Sequence, residues 1–173
     1  MNRLWAPWRA GYIAQAVRPS GCFLCAAVPP GDDRERLMVL RTEHSIVMLN
    51  RYPYNNGHLL VCPRLHKAEL TDLTAAESAD LQRLLTKLTV VLRKCMNADG
   101  FNIGLNLGKA AGAGVPGHLH WHIVPRWNGD NNFMPVTGDV KVLSQSLDDC
   151  RDLLEAQCAN LGEREAETKF DSL

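Results

Sequence analysis

The sequence has no surplus of either charge: 19 Lys and Arg balance 19 Asp and Glu over 173 residues. A balanced chain lacks the broad positive field that grips DNA, RNA or an anionic membrane, so neither nucleic acid nor a membrane is an expected partner. A small anion held in a local pocket is not excluded. No run approaches the roughly 18 consecutive apolar residues of a membrane span. Met1 to Arg9 lacks the apolar stretch of a signal peptide, so a cytoplasmic protein is expected. In that compartment the six cysteines do not read as a disulfide framework. Cys62, Cys95, Cys150 and Cys158 stand in apolar-periodic contexts and read as buried thiols. Internal repeats, low-complexity tracts and charge blocks are absent too.

What is present suits one domain with short extensions. Residues 1–36, rich in Pro, Gly and Arg, read as an N-terminal arm carrying the pair Cys22-Phe-Leu-Cys25. Residues 37–138 form the expected main domain, and 139–173 a C-terminal helix and tail. Strands are predicted over 37–41, 45–49, 58–62, 101–107 and 118–124, with a turn over 51–57. Thr74-Ala-Ala-Glu77 is a capping box, and Leu81, Leu84, Leu85, Leu88, Val91, Leu92 and Cys95 follow at helical spacing, with an end expected near Asp99-Gly100. A second helix is predicted after Asp139. The fold class is α+β: an antiparallel sheet of about five strands, one long helix packed across it, and a C-terminal helix.

Three of the six histidines fall in His118-Leu-His120-Trp-His122. Strand alternation would put them on one face, with Leu119, Trp121 and Ile123 on the buried other. A neutral imidazole attacks phosphorus and leaves again readily, while a neighbouring imidazolium donates to a phosphate oxygen or leaving group. The segment Gly108 to Gly117 holds four glycines and can offer backbone N–H groups to an anion. A glycine loop beside a nucleophile suits phosphoryl-type transfer, which depends on positioning and charge stabilisation. A metal-binding histidine row is the competing reading.

His118-Leu-His-Trp-His-Ile-Val124 resembles the signature of the histidine-triad (HIT) superfamily. Leu49 to Pro63, Asn106-Leu-Gly108 and Ala111-Gly112 resemble its other hallmarks, over roughly residues 20 to 135. The opening Arg3 to Arg9, the Cys22/Cys25 pair and the run Val124 to Phe133 are similar to the bacterial diadenosine tetraphosphate phosphorylase or hydrolase branch, close to fragile-histidine-type proteins.

The resemblance implies a HIT-like fold, a homodimer, and cleavage of dinucleoside polyphosphates through a nucleotidyl-histidine intermediate. It makes His120 the nucleophile and puts His122 and His58 on the phosphate, with His118 supporting the site or binding metal. It assigns Asn50 to the ribose and Asn106 with Gly112 and Gly114 to phosphate, and makes Ile46–Leu49 the wall of the base pocket. Ala113-Gly114 departs from the family pattern, where a Gln and a hydroxyl side chain often contact phosphate. The related uridylyltransferases imply a structural zinc on Cys22, Cys25, His66 and His118. No organic cofactor is expected. A nucleotide-sensing protein with little turnover and a nucleoside phosphoramidate hydrolase are the alternatives.

Overall fold

The computed structural model describes residues 21–130 and 143–161. Five antiparallel strands form one sheet: β1 (Met38–Arg41), β2 (Ser45–Leu49), β3 (Leu59–Pro63), β4 (Gly100–Leu105) and β5 (Trp121–Arg126). Their order is β1-β2-β3-β5-β4, so β5 lies inside the sheet and β4 at an edge. Around it lie a five-residue helix α1 (Phe23–Ala27), the long α2 (Ala75–Met96) and α3 (Leu147–Cys158). The α+β architecture and the five-strand count agree with the sequence pattern.

Alternation along the strands sorts two cores. One face of the sheet sends Val47, Leu49, Leu59, Val61 and Ile123 against Leu81, Leu84, Leu85, Leu88 and Leu92 of α2 and Cys150, Leu154 and Cys158 of α3. The other face sends Met38, Ile46, Met48, Leu60 and Cys62 against Leu24 and Ala27 of α1. Register places His122 opposite Leu60, so His122 belongs to this second face.

Helix α2 starts where the capping box says: the Thr74 side chain accepts from the Glu77 N–H, and Glu77 answers the Thr74 N–H at 2.7 Å. Glu77 is also buried against Lys67 Nζ at 2.6 Å, which ties the helix start to the loop after β3. The helix ends three residues before the expected Asp99-Gly100, because Asn97 turns left-handed at φ 52°. Helix α3 begins at Leu147, capped by Ser146, whose side chain accepts from the Asp149 N–H. Leu143 lies outside it, and residues 139–142 lie outside the described residues.

Gly57 connects the fold to the site. It has φ +69°, and a Cβ there would meet Met96 Sδ at 2.7 Å and Pro125 Cγ at 3.3 Å. Only glycine closes this turn while placing the fully buried His58 at the head of β3. Leu88, in the middle of the larger core, is wholly buried. Leu88→Ala is expected to lower unfolding free energy by about 3 kcal/mol, read from the urea midpoint, because a cavity adds to the lost transfer energy.

Candidate active site

Four histidines converge at the start of β5 and β3. His58 Nε2 lies 2.9 Å from His122 Nδ1. The rings of His58 and His122, and of His120 and His122, have centroids 5.1 Å apart. The predicted strand over 118–124 starts instead at Trp121. His118 and His120 precede it, because the backbone there bonds to loops: the His118 N–H reaches Val115 O, and the Leu119 N–H reaches Lys67 O at 2.7 Å. The buried face is as expected for Leu119 and Ile123, but His118 and His120 are buried as well. The row is a largely enclosed cluster.

The partners determine the tautomers. A carbonyl only accepts, so His120 donates from Nδ1 to His118 O at 2.8 Å and carries its lone pair on Nε2. His118 donates from Nε2 to Pro63 O at 2.9 Å, which leaves the lone pair on Nδ1. His58 Nδ1 accepts from the Tyr54 N–H at 3.0 Å, so its Nε2–H donates to His122 Nδ1. His122 is then protonated on Nε2, a buried atom without a hydrogen-bond partner among the described residues. Burial first, and the neighbouring His120 second, push His122 down to about 4. It is a neutral donor near neutral pH, not the imidazolium anticipated from sequence.

A second cluster lies beside the first. Donor atoms of Cys22, Cys25, His66 and His118 all fall within 4.8 Å of one another. His118 Nδ1 is 3.4 Å from both sulfurs, and His66 Nδ1 is 3.1 Å from Cys25 Sγ. Burial and the adjacent Cys22 raise the Cys25 thiol, an effect that a bound cation would reverse. Two thiols and two imidazoles form a donor set that fits tetrahedral zinc, and the His118 tautomer presents a lone pair to it. The fit extends to Gly117, where a Cβ would come within 3.1 Å of His66 Nε2.

Asn50 is half-buried; its Oδ1 accepts from the Tyr52 N–H, and its Nδ2 lies 3.4 Å from His58 Nδ1. It also lines a cavity of about 470 Å³ beside α1. The floor of that cavity is Leu37, Met48, Leu49 and Leu60, and α1 supplies Phe23, Ala26 and Ala27. Ile46 and Val47 do not line it; Ile46 is sealed in the second core and Val47 faces α2. In the glycine loop, Gly112 turns left-handed at φ 89° and its N–H closes a single turn onto Lys109 O. Gly114 is exposed and Asn106 half-buried, and neither is bonded to the histidines by any contact among the described residues. Tyr54, Gly117, Phe23 and the Pro63 carbonyl were missed by the motif reading. The Pro-Tyr-Asn-Asn-Gly turn and the position of Phe23 inside the Cys pair were the available signals.

The profile of the HIT domain matches residues 33–129. The chain belongs to the HIT domain family. Its sequence is 42% identical over 168 residues to AP-4-A phosphorylase of Mycobacterium tuberculosis, covering 92% of this chain and 85% of that protein. It is 40% identical over 90 residues to the asymmetrical bis(5'-nucleosyl)-tetraphosphatase of Schizosaccharomyces pombe, covering 52% of this chain and 49% of that protein. Its fold is similar to a zinc-bound histidine triad family protein from Mycobacterium smegmatis, with TM-score 0.63 and 30% identity over 82% of this chain and 95% of that one.

The neutral His122 of this HIT domain has a consequence for stability. Above its ordinary value of 6.5 it is neutral folded and unfolded. Between 6.5 and about 4 the unfolded chain takes up a proton that the folded one refuses, so stability falls with pH across that window. Thermal unfolding of wild type and His122→Gln between these limits is expected to show a shallower pH dependence in the variant; parallel curves would contradict the assignment.

Proposed function

We propose that the protein cleaves dinucleoside polyphosphates of the diadenosine tetraphosphate class through a nucleotidyl intermediate on His120. The observation that carries this reading is the pair of opposite nitrogens: a lone pair on His120 Nε2 beside a proton on His122 Nε2. The similarity to AP-4-A phosphorylase over most of the chain supports the substrate class. His120 Nε2 attacks the α-phosphorus; an N–P bond forms as the bridging P–O bond breaks, and the electron pair leaves with the nucleoside polyphosphate. The His122 N–H donates to the phosphoryl group or departing oxygen, with His58 behind it. Orthophosphate or water then attacks the same phosphorus, returning the pair to Nε2 and releasing its proton.

The nucleoside occupies the cavity beside Asn50, whose side chain reaches the ribose. Asn106 and the backbone around Gly112 and Gly114 contact phosphate, without the side-chain hydroxyl common at this place. Incubation with diadenosine tetraphosphate and orthophosphate is expected to yield ADP and ATP; water as acceptor yields AMP and ATP. Unchanged substrate under both conditions overturns the reading. His120→Asn is expected to cost at least about a thousandfold in kcat.

Cys22, Cys25, His66 and His118 hold one zinc ion in this proposal. Held by these four residues, zinc would supply a structural link between α1 and the loop after β3, and no catalytic step. Protein purified without chelator is expected to carry about one zinc per chain, and Cys22→Ser to lose the metal and unfold at lower temperature. A metal-free wild type with full stability would sink the assignment. Reduced thiols of this kind belong to the cytoplasm; among the described residues no helix is long and apolar enough to cross a membrane. The edge strand β4, with Ile103 47% exposed and Val90 of α2 60% exposed, supplies the face for a homodimer.

A further inference from the structure

Tyr54, in the 51–57 turn, is in ring contact with two of the histidines. Its ring lies nearly parallel to His122, 15° between planes with centroids 5.8 Å apart, and 4.7 Å from the His58 centroid at 40°. The three rings contact one another pairwise, although Tyr54 is itself 44% exposed. Its N–H also donates to His58 Nδ1.

We propose that Tyr54 is a positioning residue for His122: its backbone N–H and its ring together hold the His58–His122 pair in the one tautomer that turns the His122 Nε2–H toward substrate. The role for that N–H rests on the cleavage reading above; the tautomer claim stands without it.

Two neutral imidazoles joined by one hydrogen bond have two arrangements. In one, His58 Nε2–H donates to His122 Nδ1. In the other, His122 Nδ1–H donates to His58 Nε2, which requires a proton on His58 Nδ1. That proton would face the Tyr54 N–H at 3.0 Å and the Asn50 amide nitrogen at 3.4 Å. A donor opposed to a main-chain donor is an unmet buried polar group, and Tyr54 N–H has no other tautomer to adopt. The reverse arrangement is thereby excluded while water stays out of the bond. The ring performs that exclusion, covering the solvent side of a pair whose His58 is fully buried. A water admitted there could bond to either ring nitrogen and release the constraint. The low basicity of His122 fits an enclosed, uncharged pair.

The test uses the full chain labelled with 15N-histidine, read by long-range 1H–15N correlation without substrate. Wild type is expected to show His122 protonated on Nε2 alone; a His122 protonated on Nδ1 overturns the proposal. Tyr54→Ala is expected to give a mixed His122 tautomer, and Tyr54→Phe the wild-type pattern. On diadenosine tetraphosphate, Tyr54→Ala is expected to lose about tenfold or more in kcat, with KM and the Tyr54→Phe constants within about twofold of wild type. An unchanged tautomer in Tyr54→Ala also overturns it, as does a loss confined to KM. If Tyr54→Ala does not fold, Tyr54→Leu, which keeps an apolar cover, is expected to match wild type in tautomer; a mixed pattern there rejects the covering role. Should the dinucleotide not be cleaved by wild type, the cleavage reading fails while the tautomer result still decides the role of Tyr54.

Discussion

A main-chain carbonyl can accept a hydrogen bond and never donate one, and two such carbonyls order the site. Pro63 O forces the proton of His118 onto Nε2, so Nδ1 faces the two cysteines. His118 O forces the proton of His120 onto Nδ1, so Nε2 carries the lone pair. Neighbouring rings in one short segment therefore present opposite nitrogens to different tasks. His122 is set from the other direction, by the Tyr54 main-chain donor acting through His58. A phosphoryl centre needs a lone pair at phosphorus and a donor at oxygen, and carbonyls on one side with an amide on the other supply that asymmetry without a charged side chain.

Burial has a cost that this arrangement offsets. His58 and His118 are wholly buried and His120 nearly so, and for His118 and His122 burial disfavours the charged imidazole. Each keeps a hydrogen bond to neutral backbone or a neighbouring ring in return. The late start of β5 is part of the same solution. If His118 to His120 continued the ladder with β4, their backbone groups would be spent there. Bonding instead to Val115 O and from Leu119 to Lys67 O swings His118 toward the cysteines and leaves His120 at the mouth of the sheet.

Features that rest on local chemistry were legible in the sequence. The α2 capping box, its apolar stripe, the five strands and their antiparallel class all follow from spacing and turn residues. The grouping of Cys22, Cys25, His66 and His118 came from resemblance, and the four donors do meet. The histidine row as one continuous strand face did not hold, because the period-two argument assumes that sheet pairing continues, while His118 and His120 precede the strand and the backbone there bonds to loop acceptors. Both sides of this sheet are covered, so alternation divides Ile46–Leu49 between two cores, and of the four Met48 and Leu49 line the cavity next to Asn50. The tautomers were beyond sequence altogether, since they depend on which carbonyl or amide stands opposite each ring.

Helix α1 shows how tightly the parts are joined. Five residues are too few for a helix to persist by propensity, and no side chain caps its start. Leu24 and Ala27 bury it in the second core, and Arg41 holds its end through Ala27 O and Val28 O. Cys22 and Cys25 face the metal-type cluster, while Phe23 and Ala26 line the cavity. Successive residues thus serve the thiol cluster, the cavity wall and the core in turn. A helix this short has no freedom to satisfy one of these and relax the others. The cavity next to Asn50, the four-donor cluster and the carbonyl that orients His120 consequently form one mechanical unit, linked through His118.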